Sequence, residues 1–258
     1  MLEDFRELSL LAGRAVMAHY RPEGVPFERK ADGSPVSAAD LAAHQIYQEG
    51  LAARFPAIPL VSEESPQLLT PTALGSRFFL VDPIDGTRGF IAGERDFTLN
   101  IALIEAGIAK AALLYAPAHG RLFTAQDGKA WEETIAPEGS RIGAPRPLER
   151  RPRVGPPRIL ASRTHLDPQT KTWLENWPGA EIRYSSSSLK FALIAADEAD
   201  LYPRFAPTSA WDTAAGQALV EASGGVVLDA ERGQPLRYGL GSSYLNPNFI
   251  AAGDPGLL

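Results

Sequence analysis

The stretch Phe78-Phe79-Leu80-Val81-Asp82-Pro83-Ile84-Asp85-Gly86-Thr87-Arg88-Gly89-Phe90 decides how this chain is read. Its apolar beginning reads as a buried strand. The strand stops at an aspartate, a proline, a second aspartate, a glycine and a threonine. Two carboxylates and a hydroxyl therefore sit on a tight turn at the carboxyl end of a strand, where open α/β sheets bind ligands. Hard cations such as Mg²⁺ take oxygen ligands, and two acids three apart on a turn can supply several. The same letters also make a sound turn for structural reasons alone. Pro fixes φ, Asp bonds its own backbone and Gly accepts positive φ. Taken alone, the stretch does not separate the two readings.

Composition narrows the field. The chain has 258 residues, 45% apolar and 22% charged, which suits an ordinary soluble globular protein of one large or two modest domains. No run approaches the roughly 18 apolar residues of a membrane span, and the acidic start Met1-Leu2-Glu3-Asp4 is unlike a secretory signal. There is no cysteine, so thiolate metal sites and cysteine nucleophiles are excluded. A net charge of −6 argues against binding a nucleic-acid polymer but not a small phosphorylated ligand. A bound divalent cation can locally outweigh the chain's own negative charge.

Upstream, apolar residues at helical spacing predict a helix over residues 2–20, ended by Arg21-Pro22-Glu23-Gly24. A β-turn or mobile loop follows around residues 29–35. Ser37-Ala38-Ala39-Asp40 has the form of a capping box opening a helix from Ala38 to Arg54. Residues 58–62 predict a short strand running into Glu63-Glu64. Downstream, residues 97–104, 109–115 and 121–125 predict an antiparallel meander. Pro, Gly and Arg dominate residues 137–157, including Arg146-Pro147-Leu148-Glu149-Arg150-Arg151-Pro152-Arg153, and a solvated linker is favoured there over a basic contact for an acidic ligand. Strands at 159–162, 181–184, 200–205, 226–228 and 249–252 alternate with helices at 168–177, 188–196 and 211–223. Two lobes are expected, residues 1–145 and 155–258, in a layered α/β architecture.

The acidic residues Glu63, Glu64, Asp82, Asp85, Asp212 and Asp40 all lie at the edges of these elements. Each has a structural explanation of its own. Asp40 and Asp212 can close helix caps, and Glu63-Glu64 can face solvent. Together they make a plausible carboxylate cage for metal-assisted phosphoryl hydrolysis.

Asp82-Pro83-Ile84-Asp85-Gly86-Thr87 together with Trp211-Asp212-Thr213-Ala214-Ala215-Gly216 resembles the paired motifs of the inositol monophosphatase superfamily, and Glu63-Glu64 lies where that family carries its first-motif glutamate. The likeness spans essentially the whole chain. Within the superfamily the chain most resembles the CysQ-type 3'(2'),5'-bisphosphate nucleotidases. The stretches concerned are Lys30-Ala31-Asp32, Ser34-Pro35-Val36, residues 97–104, Tyr115-Ala116-Pro117, Ser187-Ser188-Leu189-Lys190-Phe191, Leu201-Tyr202-Pro203-Arg204-Phe205 and Leu245-Asn246-Pro247. One departure is Arg88-Gly89-Phe90, where the CysQ type more often has Lys-Glu-Phe.

The resemblance implies an αβαβα sandwich of the inositol monophosphatase and fructose-1,6-bisphosphatase type, lithium-sensitive and dependent on two or three Mg²⁺ ions. Glu63, Asp82, the carbonyl of Ile84, Asp85 and Asp212 would hold the metal, with Asp82 bridging two ions and Glu64 behind them. Thr87, paired with Asp40, would orient and help deprotonate the attacking water. Gly86 and Thr87 would face the phosphate, and Ser188, Lys190 and Arg204 would grip the substrate's second phosphate and sugar. For these last three, plain surface roles are the competing reading.

The implied substrate is 3'-phosphoadenosine 5'-phosphate (PAP), with its sulfated precursor PAPS as a second. Inositol or sugar phosphates are the alternative within the superfamily. A haloacid-dehalogenase-type phosphatase is disfavoured because Asp82 and Asp85 stand three apart rather than two. A catalytically silent nucleotide or metal binder is disfavoured because no carboxylate of the cage is missing. A cytoplasmic monomer or homodimer is expected, with peripheral contact at the inner membrane face as a variant. His19, His44, His119 and His165 show no metal-ligand spacing and receive no role.

Overall fold

A computed structural model describes residues 1–65, 69–151, 153–162, 166–241 and 243–258, apart from the side chain of residue 72. His165, and Pro152 of the basic run, lie outside the described residues. Among the described residues the chain opens with helix α1 (Leu2–His19), a small hairpin of β1 (Glu28–Arg29) and β2 (Pro35–Val36), and helix α2 (Ala38–Arg54). A seven-stranded sheet follows in sequence order: β3 (Leu60–Ser62), β4 (Arg77–Asp85), β5 (Thr98–Glu105), β6 (Ile108–Ala116), β7 (Arg121–Gln126), β8 (Lys129–Ile135) and β9 (Arg141–Pro147). Strand β3 pairs in parallel with β4, and the rest form an antiparallel meander. A short helix, α3 (Thr87–Ile91), interrupts it after β4.

The pleat of this sheet divides the core in two. In β4, Phe79 and Val81 face α1 and α2, whereas Phe78 and Leu80 join the cluster on the other side. Strands β5 and β6 repeat the alternation: Ile101 and Leu113 pack with α1 and α2, and Ala102 and Leu114 pack on the opposite face. Each such buried Phe, Leu or Ile side chain contributes about 1.5–3 kcal/mol relative to exposure.

The chain then continues as β10 (Arg158–Ser162), α4 (Pro168–Glu175), β11 (Glu181–Ser185), α5 (Leu189–Ala195), β12 (Leu201–Arg204), α6 (Ala210–Ala222), β13 (Val226–Asp229) and β14 (Phe249–Ala252). Its strands form a five-stranded mixed sheet in the order β11-β10-β12-β14-β13. Helices α5 and α6 are sandwiched between the two sheets, with α6 contacting β4 to β7 on one side and β13 and β14 on the other. Small residues make this possible. A Cβ on Gly216 of α6 would fall 2.4 Å from the Phe191 ring of α5. On the outer face, Trp173, Leu174 and Trp177 pack on Ile159, Leu201 and Ala252. The layers therefore run αβαβα, as expected.

Three local readings are corrected. Strand β4 does not stop at Asp82 but continues to Asp85, with one extra residue inserted: Asp82 pairs with Asn100 and Asp85 with Thr98. Pro83 cannot donate to the ladder, and a bulge accommodates it. The stretch at residues 29–35, expected as a β-turn or mobile loop, spans the turn of the β1–β2 hairpin, in keeping with the first of those readings. Residues 141–147, expected as linker, form the edge strand β9, where prolines are tolerated. Nor is the basic run solvated throughout. Arg150 is buried and bonds Asp197 and Asp200 at 2.6 and 2.9 Å, and Arg146 pairs with Glu132.

Candidate active site

Pleat parity places Asp82 on the same face as Phe78 and Leu80, the face that looks towards α6. There it meets Asp212 from the first turn of α6 and Glu63, which follows β3. Ligand oxygens of Glu63, Asp82 and Asp212 lie within 4.8 Å of one another. Both carboxylate oxygens of Asp82 are buried and have no hydrogen-bond partner among the described residues. Buried polar atoms are rarely left so, and an unpaired buried carboxylate is costly. Burial, and after it the charges of Glu63 and Asp85, pushes the Asp82 carboxyl well above its usual range. Asp212 is likewise raised by burial and by Asp85, and burial lifts Glu63 to about 7. A dense, all-oxygen, under-partnered cluster of acids fits a hard divalent cation such as Mg²⁺.

Asp85 stands beside these three and is held from the second half of the chain. Its Oδ2 accepts from the backbone N–H of Ser188 and from the Ser188 hydroxyl. The bulge and the left-handed Gly86, at φ 92°, turn the chain into α3 directly afterwards. This brings Ile84, Asp85 and Thr87 to the wall of one cleft of about 300 Å³, which Glu63, Asp212, Ser188, Lys190 and Arg204 also line.

Thr87 Oγ1 lies 3.0 Å from Asp40 Oδ1 and 2.9 Å from the Ile84 carbonyl. The other oxygen of Asp40 accepts from the N–H and hydroxyl of Ser37, so Asp40 closes the cap of α2 and holds Thr87 at once. Asp212 has the same double use: its Oδ2 accepts from Ser209 N–H at the start of α6. In both cases the capping and site readings hold together. Burial raises the Asp40 carboxyl above its usual value despite these bonds.

The opposite wall departs from the simple picture of free hands for a ligand. Ser188 is 2% exposed, and its hydroxyl is engaged with Asp85 and lies 2.7 Å from the Asp212 carbonyl. Lys190, also 2% exposed, is no surface lysine. It donates to the Ser187 carbonyl at 2.6 Å and stacks over Tyr202, and burial pushes its pKa down to about 7. Arg204 donates from Nη1 to Ser162 at 2.9 Å, while its buried Nε has no partner among the described residues.

With the cage and cleft in place, the similarity to known proteins carries more weight. The model of the inositol monophosphatase family matches residues 2–257. The chain belongs to the inositol monophosphatase family. It is 41% identical over 250 residues to a 3'(2'),5'-bisphosphate nucleotidase CysQ of Salmonella typhimurium, covering 96% of this chain and 98% of that protein. It is 40% identical over 252 residues to the CysQ of Escherichia coli K12, with the same coverage. The crystal structure of CysQ from Bacteroides thetaiotaomicron superposes with a TM-score of 0.80 at 31% identity, covering 96% of this chain and 95% of that one. The expected family and the expected layered fold are both borne out.

Among the groups that sequence reasoning did not assign in this inositol monophosphatase-family site, Lys30 is the plainest. Its Nζ lies 3.2 Å from Glu63 and 2.6 Å from Glu64. Burial opposes its charge, but the two glutamates outweigh burial and raise its pKa. The stretch Lys30-Ala31-Asp32 carries part of the family resemblance, but no role for Lys30 could be read from it because its partners are more than thirty residues away. Ser186 and Ser187 also line the cleft. The run of four serines, 185–188, was the available signal.

Proposed function

We propose that the protein is a Mg²⁺-dependent phosphomonoesterase that hydrolyses the 3'-phosphate of PAP to AMP and phosphate, and that of PAPS to adenosine 5'-phosphosulfate. The observation that carries this reading is the buried Asp82 carboxylate, unpartnered among the described residues and set against Glu63 and Asp212, which line the same cleft as Thr87. The names of the relatives, with identity near 40%, support the nucleotide over an inositol phosphate.

Glu63, Asp82, the Ile84 carbonyl, Asp85 and Asp212 would hold two or three ions. Bound there, Mg²⁺ supplies charge neutralisation and acidification of water for phosphoryl transfer. The residues of the chain do the rest. Thr87 Oγ1 takes the proton of the attacking water as it passes its own proton to Asp40, so the hydroxyl is restored and Asp40 holds the proton. The raised Asp40 carboxyl suits that task, since a stronger base takes the proton more readily. Water oxygen bonds to phosphorus, the bond from phosphorus to the 3'-oxygen breaks, and the departing oxygen takes a proton from solvent. Gly86 N–H faces the phosphate, and the guanidinium of Arg204, which lines the same cleft, pairs with the second phosphate.

Phosphate release from PAP, inositol monophosphate and fructose bisphosphate under saturating Mg²⁺ tests the reading. PAP turned over fastest is the expected result. Inositol monophosphate turned over better than PAP would sink the nucleotide assignment.

A further inference from the structure

The loop 185–188 is the place where the second half of the chain reaches the carboxylate cage, and three separate anchors hold it. At one end Ser188 bonds Asp85 through both its N–H and its hydroxyl. In the middle Lys190 draws in the carbonyl of Ser187. At the other end Asp96, on the segment between α3 and β5, accepts from the Ser185 hydroxyl at 3.1 Å and from the Ser186 N–H at 3.4 Å through Oδ2. Its other oxygen is bonded to His119 Nε2 at 3.0 Å.

The loop needs such anchors. Ser187 has φ 59°, a left-handed conformation that a side chain with a Cβ rarely adopts unless its surroundings impose it. The fit around it is close. A Cβ built on Gly86 would come within 3.1 Å of the Asp96 carbonyl and 3.2 Å of Ser187 Cβ. The turn carrying Asp85, the segment carrying Asp96 and the serine loop therefore meet at one point, and a shift of the loop would carry Ser188 away from Asp85.

We infer that Asp96 is a positioning residue: it docks the 185–188 loop against the first sheet and, through Ser188, sets the orientation of the Asp85 carboxylate towards the cage. Asp96 itself touches neither substrate nor the reacting atoms, and its effect on turnover rests on the metal-dependent reading above. Ser188 is the joint in this chain of contacts, which explains why it is buried and bonded within the protein. Asn100 supports it from β5, donating from Nδ2 to the Ser188 hydroxyl at 3.2 Å. Groups that orient a metal ligand typically change metal affinity by about 10- to 100-fold when removed.

The test compares wild type, Asp96→Asn, Ser185→Ala, Ser188→Ala and the Asp96→Asn/Ser188→Ala pair. Mg²⁺ affinity is measured by isothermal titration calorimetry without substrate, alongside turnover of PAP and the thermal midpoint. Asp96→Asn is expected to weaken Mg²⁺ about tenfold, with part of its lost kcat recovered at higher Mg²⁺. Ser185→Ala should move both readouts the same way but less, by about threefold, because the Ser186 N–H still bonds Asp96 and keeps part of the anchor. The double variant should lose clearly less Mg²⁺ affinity than the product of the two single losses, because both act through Ser188, whose backbone N–H still reaches Asp85 in Ser188→Ala.

Wild-type Mg²⁺ affinity in Asp96→Asn, or additive losses in the pair, would overturn the inference. If Asp96→Asn does not fold, unchanged Mg²⁺ affinity in Ser185→Ala overturns it instead. A tenfold loss of Mg²⁺ affinity in an enzyme inert towards PAP leaves the positioning role standing and removes the substrate reading. Rapid PAP turnover with unchanged Mg²⁺ affinity in Asp96→Asn does the reverse.

Discussion

Replacing Glu63 with Gln should stabilise the metal-free protein while abolishing its response to Mg²⁺. Glu63 is driven up from 4.5 to about 7, first by burial and then, against the pull of Lys30, by Glu64 and Asp85. A rise of about 2.5 at 1.36 kcal/mol per pH unit corresponds to about 3 kcal/mol. The sign follows from which state holds the proton. Because the folded value is the higher one, stability is full below 4.5 and is lost as pH climbs through about 7. The side chain is 29% exposed and paired with Lys30, so about 2 kcal/mol is the more realistic gain for Gln at neutral pH. Repulsion of this order is reasonable for the cage, since unit charges 4.8 Å apart repel by about 3.5 kcal/mol at an effective dielectric of 20. In EDTA at pH 7.5, Glu63→Gln should melt about 4–8 °C above wild type. The difference should shrink towards zero at pH 4.5. Mg²⁺ at a hundred times its Kd should add about 2.7 kcal/mol to wild type and far less to the variant. A Glu63→Gln protein that melts below wild type in EDTA, or that gains as much from Mg²⁺, would refute the reasoning.

Other consequences can be measured separately. Thr87→Val and Asp40→Asn should each lower kcat about 100-fold or more with KM little changed, and the pair should be scarcely worse than either alone; multiplicative losses in single-turnover assays would show that they do not act together. Arg204→Ala should raise KM for PAP about 10- to 100-fold while sparing adenosine 3'-phosphate, which lacks the second phosphate; equal losses on both would free Arg204 of that role. Because Glu63, Asp82 and Asp212 are all raised, Mg²⁺ binding near pH 7 should release protons. Calorimetry in two buffers of different ionisation enthalpy reads this directly, and heats independent of buffer would count against a cage of protonated acids.

The elements around the site were legible because their signals are local. The capping boxes at Ser37 and Ser209, the alternation in β4 to β6 and the Asp-Pro-Ile-Asp-Gly-Thr stretch each lie within a few residues. What the sequence hid depends on distance. Strand β9 has the composition of a linker, and only its pairing with β8 makes it a strand. Arg150 reads as part of a solvated charge run until Asp197 and Asp200, nearly fifty residues on, are brought against it. The resemblance implied ligand contacts for Ser188 and Lys190, with plain surface roles as the competing reading, and at 2% exposure neither is a surface side chain. Burial between the two sheets ties Ser188 to Asp85 and Lys190 to the loop's own carbonyls. The bulge in β4 was hidden as well, although it is what lets one strand deliver both Asp82 and Asp85.

The most direct measurement incubates the purified protein with PAP and Mg²⁺, quantifies phosphate and identifies the nucleotide product by chromatography. AMP and phosphate are expected in equal amounts, with no turnover in EDTA and none from Asp82→Asn in Mg²⁺. Adenosine 3'-phosphate as the product, or undiminished turnover by Asp82→Asn, would contradict the proposed function.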